Sequence, residues 1–302
     1  MEELEKYLES SNIGKYEKNV SISKYTTYHV GGKVKYIVYP KDTQSLVQLL
    51  KYLKNNKIKH KILGNGSNLL FSENEYDGVL IKLSEFNNIK FLAKNKIRVE
   101  AGFSLIKLSL LTAKKSLTGL EFASGIPGSV GGAVFMNAGA YKSDMGYVVE
   151  RVKVLTPDFN IIYLENKEMD FHYRTSFLKK HPEYICLEVI IKLQKGKKEA
   201  IEQLINERRK RRLESQPLEY PSAGSVFRNP ENDFAGRLIE ESGLKGKKHG
   251  GAMISSKHAN FVINYKNAKA DDIKYLIELA HDKVKENYNV DLKIEQEFVN
   301  WE

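Results

Sequence analysis

Two glycine-rich segments carry the residue types best suited to holding a polyanionic ligand. GNGSN at 64–68 lies between two apolar, strand-like runs. Glycine tolerates positive φ and lets a ligand approach the backbone closely, and successive N–H groups in such a turn form an anion-binding concavity. Asn65, Ser67 and Asn68 add side-chain hydrogen-bonding groups beside Gly64 and Gly66. Standing alone, the same residues would suit an ordinary hairpin turn. The second segment, GIPGSVGGAVFMNAGAY at 125–141, crowds Gly125, Gly128, Gly131, Gly132 and Gly139 among apolar residues and offers Ser129 and Asn137. At about 1 kcal/mol per Gly relative to Ala, that is too much glycine for a helix or strand interior. Close packing against a large phosphorylated ligand would account for it, and so would a tight backbone crossing in the core. Neither segment is a Rossmann fingerprint: GNGSNL lacks the third glycine of GxGxxG, and no strand–turn–helix context fits. Neither is a P-loop, because no GxxxxGKS or GxxxxGKT occurs. A dinucleotide would have to be held by another architecture.

Other chemistries find less support. The seven histidines are scattered, with no HExxH and no Cys/His cluster at metal spacing, so no metal is expected. ERRKRR at 207–212 reads as a solvated helix face in which Glu207 can pair with Arg211. A nucleic-acid-binding protein would leave the glycine loops unexplained and should show steep salt dependence. Cys186, within ICLEVI, reads as a small buried hydrophobe.

The elements that must position these loops are mixed α and β. KYIVYP (35–40), KHKIL (59–63) and VLIKL (79–83) read as strands. Between the first two, residues 42–56 read as a helix capped by Asp42, with Leu46, Leu49, Leu50 and Leu53 on one face. IKFLA and KIRVEAG flank Lys94–Asn95 as a hairpin over 88–102, and ERVKVLT and NIIYLE flank Pro157–Asp158 as another. A helix is expected over 104–118, stopped by Gly119. YICLEVIIKL (184–193) reads as a buried strand and NFVIN (260–264) as a second. FAGRLIEESG and residues 270–288 read as helices, and the alternating tail VDLKIEQEFV as a strand. KGKK at 195–198 and the charged helix that runs to about 214 mark a boundary.

Length and composition set the frame. The 302 residues suffice for two or three domains with real cores. Hydrophobic residues at 41% and charged residues at 28% exclude a disordered or fibrous chain. No apolar run approaches the roughly 20 residues of a membrane span, and MEELEKYLES lacks the apolar core of a signal peptide. With one cysteine no internal disulfide is possible, which fits a reducing cytoplasm. The net charge of +10 favours anionic partners, phosphorylated small molecules among them.

Six ordered segments together carry a resemblance: TTYHVGG (26–32), GNGSN (64–68), GIPGSVGGAVFMNAGAY (125–141), YRTSFL (173–178), PSAGSVFRNP (221–230) and KHANFVIN (257–264). From about residue 20 onward the chain resembles the UDP-N-acetylenolpyruvoylglucosamine reductases of peptidoglycan precursor synthesis. The resemblance implies an α+β chain with an FAD-binding fold of the vanillyl-alcohol-oxidase (PCMH) type in two subdomains, plus a C-terminal α+β substrate-binding domain. The implied boundaries are 1–83 for the first subdomain, with 292–302 returning to it, 84–202 for the second, and 203–291 for the substrate domain. It further implies non-covalent FAD, NADPH as co-substrate, and a UDP-sugar enolpyruvate reduced to UDP-N-acetylmuramate by a cytoplasmic monomer without nucleic-acid or membrane partners.

Site residues follow motif by motif. The resemblance places the family's catalytic arginine on Arg174, its proton-donating serine on Ser225 and its glutamate on Glu295. FAD contacts would come from Gly64, Asn65, Gly66, Ser67 and Asn68, and from Ile126, Pro127, Gly128, Ser129, Gly131, Gly132 and Asn137. Substrate contacts would come from Tyr141, Tyr173, Asn229 and His258. The 51 positions from Arg174 to Ser225 resemble the shorter class of the family, which lacks a substrate-covering loop. The chemistry suits these residue types. An enol ether accepts hydride when its carboxylate can take up charge, and a fixed guanidinium stabilises that charge. A protonated Glu295 could donate a hydrogen bond there, and Ser225 could protonate the resulting carbanion. An oxidase of the same superfamily is the competing reading, and the Arg174–Ser225–Glu295 set speaks against it.

Three positions depart from the pattern or leave it open. Lys142 stands where the family usually has glycine and would be strained at positive φ. Asn260 stands where glycine is common, a change that a left-handed backbone would tolerate. Glu295 and Glu297 are two apart and leave a strand on the same face, so a register shift would exchange them.

Overall fold

KVKYIVYP alternates apolar and polar side chains and folds as the strand Lys33–Pro40, its inner positions buried. The computed structural model describes residues 2–301 of the chain. Asp42 turns the backbone out of that strand and accepts a hydrogen bond from Ser45 N at 2.7 Å, capping the helix Thr43–Asn55. Leu46, Leu49, Leu50 and Leu53 fall on its buried face, each burial contributing roughly 1.5–3 kcal/mol. A helix that the periodicity did not suggest, Glu2–Ser10, packs Leu4 and Leu8 into the same core and stacks Tyr7 on Tyr52 at 3.8 Å between ring centroids.

One sheet has the strand order Gly14–Ser21, Lys33–Pro40, Tyr76–Ile81, His60–Ile62, the last two strands parallel. A second, antiparallel throughout, has the order Ile161–Glu165, Val149–Leu155, Ile185–Lys192, Lys96–Glu100, Ile89–Phe91. Both expected hairpins lie in it. Lys94 and Asn95 take left-handed φ of 56° and 57° in the first, and Phe159 follows Pro157–Asp158 at 64° in the second. Cys186 is buried in the central strand, which pushes its thiol up to about 12, with Glu188 adding to the shift.

Two compact units result. The first comprises 1–18, 36–64 and 78–209, and the second 19–35, 65–77 and 210–302. Within the second, the helix Ala270–Tyr288 buries Ile273, Leu276, Ile277, Ala280 and Val284 against the sheet Lys248–His249, Ala252–Ile254, Val262–Asn264. Asn289 ends the helix in the left-handed conformation at φ 56°. The helices Lys198–Ser215 and Ala235–Glu241 form as expected.

Three local expectations are corrected. The helix expected to reach Gly119 is Leu105–Lys114, because Ser116 turns left-handed at φ 57° and Leu117–Thr118 pairs with Gln194–Lys195. The glycine-rich segment does contain a helix, Val130–Met136, with Gly131 and Gly132 in its first turn. Packing outweighs propensity there: a Cβ on Gly131 would lie 2.9 Å from Ala101 Cβ. The tail forms a strand only over Glu297–Val299, parallel to Leu69–Phe71. Before it, Ile294 makes a single bridge to Phe227.

Candidate active site

In the first unit the two glycine loops meet. A Cβ placed on Gly64 would stand 3.1 Å from Ser129 Oγ. Ser129 is buried and caps the helix Val130–Met136, accepting from Gly132 N at 3.3 Å. Val130 N and Gly131 N are committed to the carbonyls of Phe103 and Ala101 at 2.9 and 2.8 Å. Lys82 donates to Gly64 O at 2.8 Å, and burial lowers its amine below the ordinary lysine range. A hairpin turn at 64–68 is excluded, because the flanking strands pair elsewhere: His60–Ile62 with Tyr76–Ile81, Leu69–Phe71 with Glu297–Val299.

The turn bearing Arg174 is stapled to the far end of the same short helix. Asn137, left-handed at φ 44° and buried, donates from Nδ2 to His172 O at 2.8 Å and accepts from Gly146 N at 2.9 Å. Ser176 Oγ donates to Phe135 O at 2.7 Å. His172 and Thr175 exchange backbone bonds, Arg174 sits between them at φ 56°, and its Nη2 donates to Gly139 O at 2.9 Å. Its guanidinium lies 5.2 Å from the ring centroid of the exposed Tyr173. Gly139–Ala140 and Ser143–Asp144 then form a two-residue hairpin with Tyr141 and Lys142 at φ 56° and 60°. Lys142 therefore does occupy the left-handed region, at a cost of about 1–2 kcal/mol for a residue with a Cβ. Tyr141 is anchored by its hydroxyl to Arg208 O at 3.0 Å, with the Arg208 guanidinium 4.9 Å from its ring. In the helix behind it, Glu207 accepts from Gln203 at 2.9 Å.

In the second unit, Ser225 and Glu295 come from segments 70 residues apart and are joined through the backbone. Glu295 N donates to Val226 O at 2.8 Å, and Arg228 N to Lys293 O at 2.9 Å. Asn68 Nδ2 donates to Glu295 O at 3.1 Å, and Asn68 O accepts from Glu297 N at 2.9 Å. Thus the backbone of Glu295 lies beside the segment that carries Ser225, and that of Glu297 beside the glycine loop. Gly66, at φ +62°, is held by Thr27 N at 3.2 Å, and a Cβ there would fall 2.1 Å from Tyr25 O. Thr27 Oγ1 is buried with no hydrogen-bond partner among the described residues.

Ser225 lines a cavity of about 580 Å³ together with Asn229, Arg237, Lys257 and His258. Asn229 Oδ1 also accepts from Ala235 N at 3.2 Å. Burial lowers the His258 imidazole below its usual range, while its Nδ1 accepts from Asn260 N at 3.2 Å. Arg237 is paired with Asp233 and Glu241. Among the described residues there is no group of three or more His, Cys, Asp or Glu placed to hold a metal, and no helix long and apolar enough to cross a membrane.

The structure also gives two residues, Asn260 and Gln296, contacts that motif reading did not foresee. Asn260 is not left-handed. It is buried, accepts from Phe227 N at 2.9 Å and donates to Phe227 O at 2.8 Å, so the asparagine acts through a two-point hold on Phe227 rather than through its φ. Gln296 is buried and bonds to Tyr28 and to the loop that carries Ser225. One signal was present: Val290, Leu292, Ile294 and Phe298 alternate as apolar residues, and Gln296 interrupts that series.

Comparison with known proteins agrees along the whole chain. A profile described as the C-terminal domain of UDP-N-acetylenolpyruvoylglucosamine reductase matches residues 216–299, and one described as an FAD binding domain matches 34–164. The chain is 43% identical over 299 residues to UDP-N-acetylenolpyruvoylglucosamine reductase 1 of Bacillus cereus, covering 99% of each. It is 44% identical over 296 residues to the reductase of Caldanaerobacter subterraneus, covering 98% of this chain and 97% of that one. The crystal structure of the Thermus caldophilus UDP-N-acetylenolpyruvylglucosamine reductase matches with a TM-score of 0.80 at 35% identity, over 94% of this chain and 98% of that one.

Proposed function

The chain belongs to the UDP-N-acetylenolpyruvoylglucosamine reductase family, and from that premise we propose that it uses NADPH to reduce a UDP-N-acetylglucosamine enolpyruvate to UDP-N-acetylmuramate. It is an FAD-dependent oxidoreductase. Residues of each unit suit FAD: in the first, glycines bring the Ser129 hydroxyl against Gly64 in a loop able to receive a pyrophosphate, and in the second, the buried Thr27 hydroxyl has no partner among the described residues. Bound FAD supplies the redox relay through which one pocket serves NADPH and the UDP-sugar in turn.

The chain's own residues would do the rest. Arg174 binds the substrate carboxylate as a permanent cation and stabilises the charge that develops when hydride reaches the terminal enol carbon. Ser225 gives its proton to the neighbouring carbon, so that two electrons and two hydrogens saturate the double bond. Glu295 supplies the third group of the set, a carboxyl at the same enolate-like centre. Asn229 and His258 contact the nucleotide-sugar, as do the exposed Tyr141 and Tyr173. The division at 83/84, 202/203 and 291/292, the monomeric state and the cytoplasmic setting belong to the same proposal.

One observation carries this reading. Ser225 lines the 580 Å³ cavity one residue from the bond that ties Val226 to Glu295. The test is anaerobic and time-resolved. Ser225→Ala should still bleach with NADPH, while recolouring by the enolpyruvyl sugar slows by about 10²–10⁴-fold. Unimpaired recolouring removes Ser225 from its role. Recolouring by oxygen alone would favour an oxidase.

A further inference from the structure

The loop that carries Ser225 presents three consecutive carbonyl groups to one buried side chain. Gln296 Nε2 lies 3.3 Å from Ala223 O, 3.2 Å from Gly224 O and 3.4 Å from Ser225 O. Its other end, Oε1, accepts from the hydroxyl of Tyr28 at 3.0 Å. Tyr28 is fully buried, and burial raises its phenol well above the ordinary tyrosine range, so it stays a protonated donor. Its own backbone is held by Asn264 Nδ2, which donates to Tyr28 O at 3.0 Å. The amide has one workable orientation. Flipped, it would turn Oε1 against three carbonyl oxygens and lose every donor to the loop.

Gln296 directly follows Glu295, so the stretch of backbone whose Glu295 N bonds to Val226 O also carries the side chain that grips the serine loop. On the serine side, Val226 N donates to Asn260 O at 2.9 Å and Val226 O accepts from Glu295 N at 2.8 Å. The side-chain hold on residues 223–225 comes from Gln296, because Asn260 acts only from Val226 onward.

We infer that Gln296, oriented by the Tyr28 hydroxyl, is a positioning residue that fixes the Ser225 loop against Glu295 for proton delivery. The inference rests on the proton-donor reading of Ser225. Gln296 touches neither substrate nor cofactor in this role. It acts by removing freedom from the three residues that aim the serine hydroxyl.

Three substitutions in the FAD-loaded full-length protein test it. Gln296→Met keeps the volume and removes the donors. Bleaching by NADPH should be unchanged, while recolouring by the enolpyruvyl sugar slows by about ten- to a hundredfold, the scale of a misplaced reacting group. Amide hydrogen exchange over 223–226 should quicken in the same variant, a readout independent of turnover. Gln296→Glu separates positioning from bulk stability. Its neutral carboxyl retains one O–H donor, whereas its carboxylate has none and repels the carbonyls. Recolouring in Gln296→Glu should approach the wild-type rate at low pH and fall as pH rises, a dependence absent from Gln296→Met relative to wild type. Tyr28→Phe should slow recolouring less, and combining it with Gln296→Met should add nothing, since Tyr28 acts through the amide.

Equal slowing of both half-reactions, or lowered thermal stability with unaltered recolouring, would overturn the inference. If Ser225→Ala slows recolouring and Gln296→Met does not, the inference alone falls. If Ser225→Ala has no effect, the serine reading falls and takes the inference with it. Should Gln296→Met fail to fold, Gln296→Glu and Tyr28→Phe decide the matter by the same criteria.

Discussion

The two compact units carry their candidate chemistry by different physical means. In the first, the candidate features are those of the backbone: glycines that let two loops touch, beside a short helix capped by Ser129. In the second, they are side chains on distant segments, aligned by buried amides: Asn260 on Phe227, and Gln296 on the serine loop. A backbone site tolerates little added volume but asks little of particular polar side chains. A side-chain site can accept a change of volume yet depends on each buried donor and acceptor being met.

The largest effect should come from the second unit. Asn260→Ala strands the buried N–H and C=O of Phe227, which should lower stability by about 2–4 kcal/mol in chemical denaturation. Recolouring by substrate should suffer more than retention of FAD. Gly131→Val is the matching disturbance of the first unit. It presses on Ala101, where even a bare Cβ would come within 2.9 Å, and should cost about 1–3 kcal/mol. Here FAD retention, read by dialysis and absorbance, should fall first. If both variants lose FAD equally, the contrast between the units fails. Smaller and opposite in sign, Lys142→Gly relieves a left-handed residue and should raise stability by roughly 1 kcal/mol. An unchanged or lower melting temperature would show that the turn carries no strain.

The last prediction concerns pH in the second unit. His281 bonds to Asp282 at 2.9 Å and Asp291 at 2.8 Å, and these raise its imidazole above the usual value. Lys293 and then His281 bring Asp291 down to about 2. The raised histidine stabilises the fold fully below its unfolded value, and that gain disappears as pH climbs through its folded value. The lowered Asp291 stabilises above its unfolded value, and that gain disappears as pH falls toward about 2. The stability difference between wild type and His281→Gln should therefore be largest in mildly acidic buffer and shrink in alkaline buffer. A difference that grows with pH would contradict the assignment.

Legibility followed the same division. Elements with strong periodicity, such as Thr43–Asn55 and Ala270–Tyr288, were evident because their apolar faces dictate them. The glycine loops were evident as loops, but the helix Val130–Met136 was not. Two glycines in a first turn argue against helix locally, and only contact with Ala101 overrides that preference. Arg174, Ser225 and Glu295 were singled out by motif order, whereas spacing alone would have read them as surface or turn residues. The contacts of Asn260 and Gln296 were hidden because their partners lie 33 and 71 residues or more away. A strand period can mark Gln296 as a polar interruption, but it does not name the partner.

Consider finally the parallel pairing of Leu69–Phe71 with Glu297–Val299. It is reinforced by Trp301 Nε1 on Leu70 O at 2.8 Å and Ser72 Oγ on Asn300 O at 2.6 Å, contacts that span 228 or more positions. A ribosome delivers the early strand long before its mate exists, so it must wait unpaired through most of translation. Contacts of such high order slow closure and leave apolar edges open to chaperones or to neighbouring nascent chains. Assembly of the serine-bearing unit is therefore a late event in biosynthesis, and its yield should respond to growth temperature more than its finished stability does.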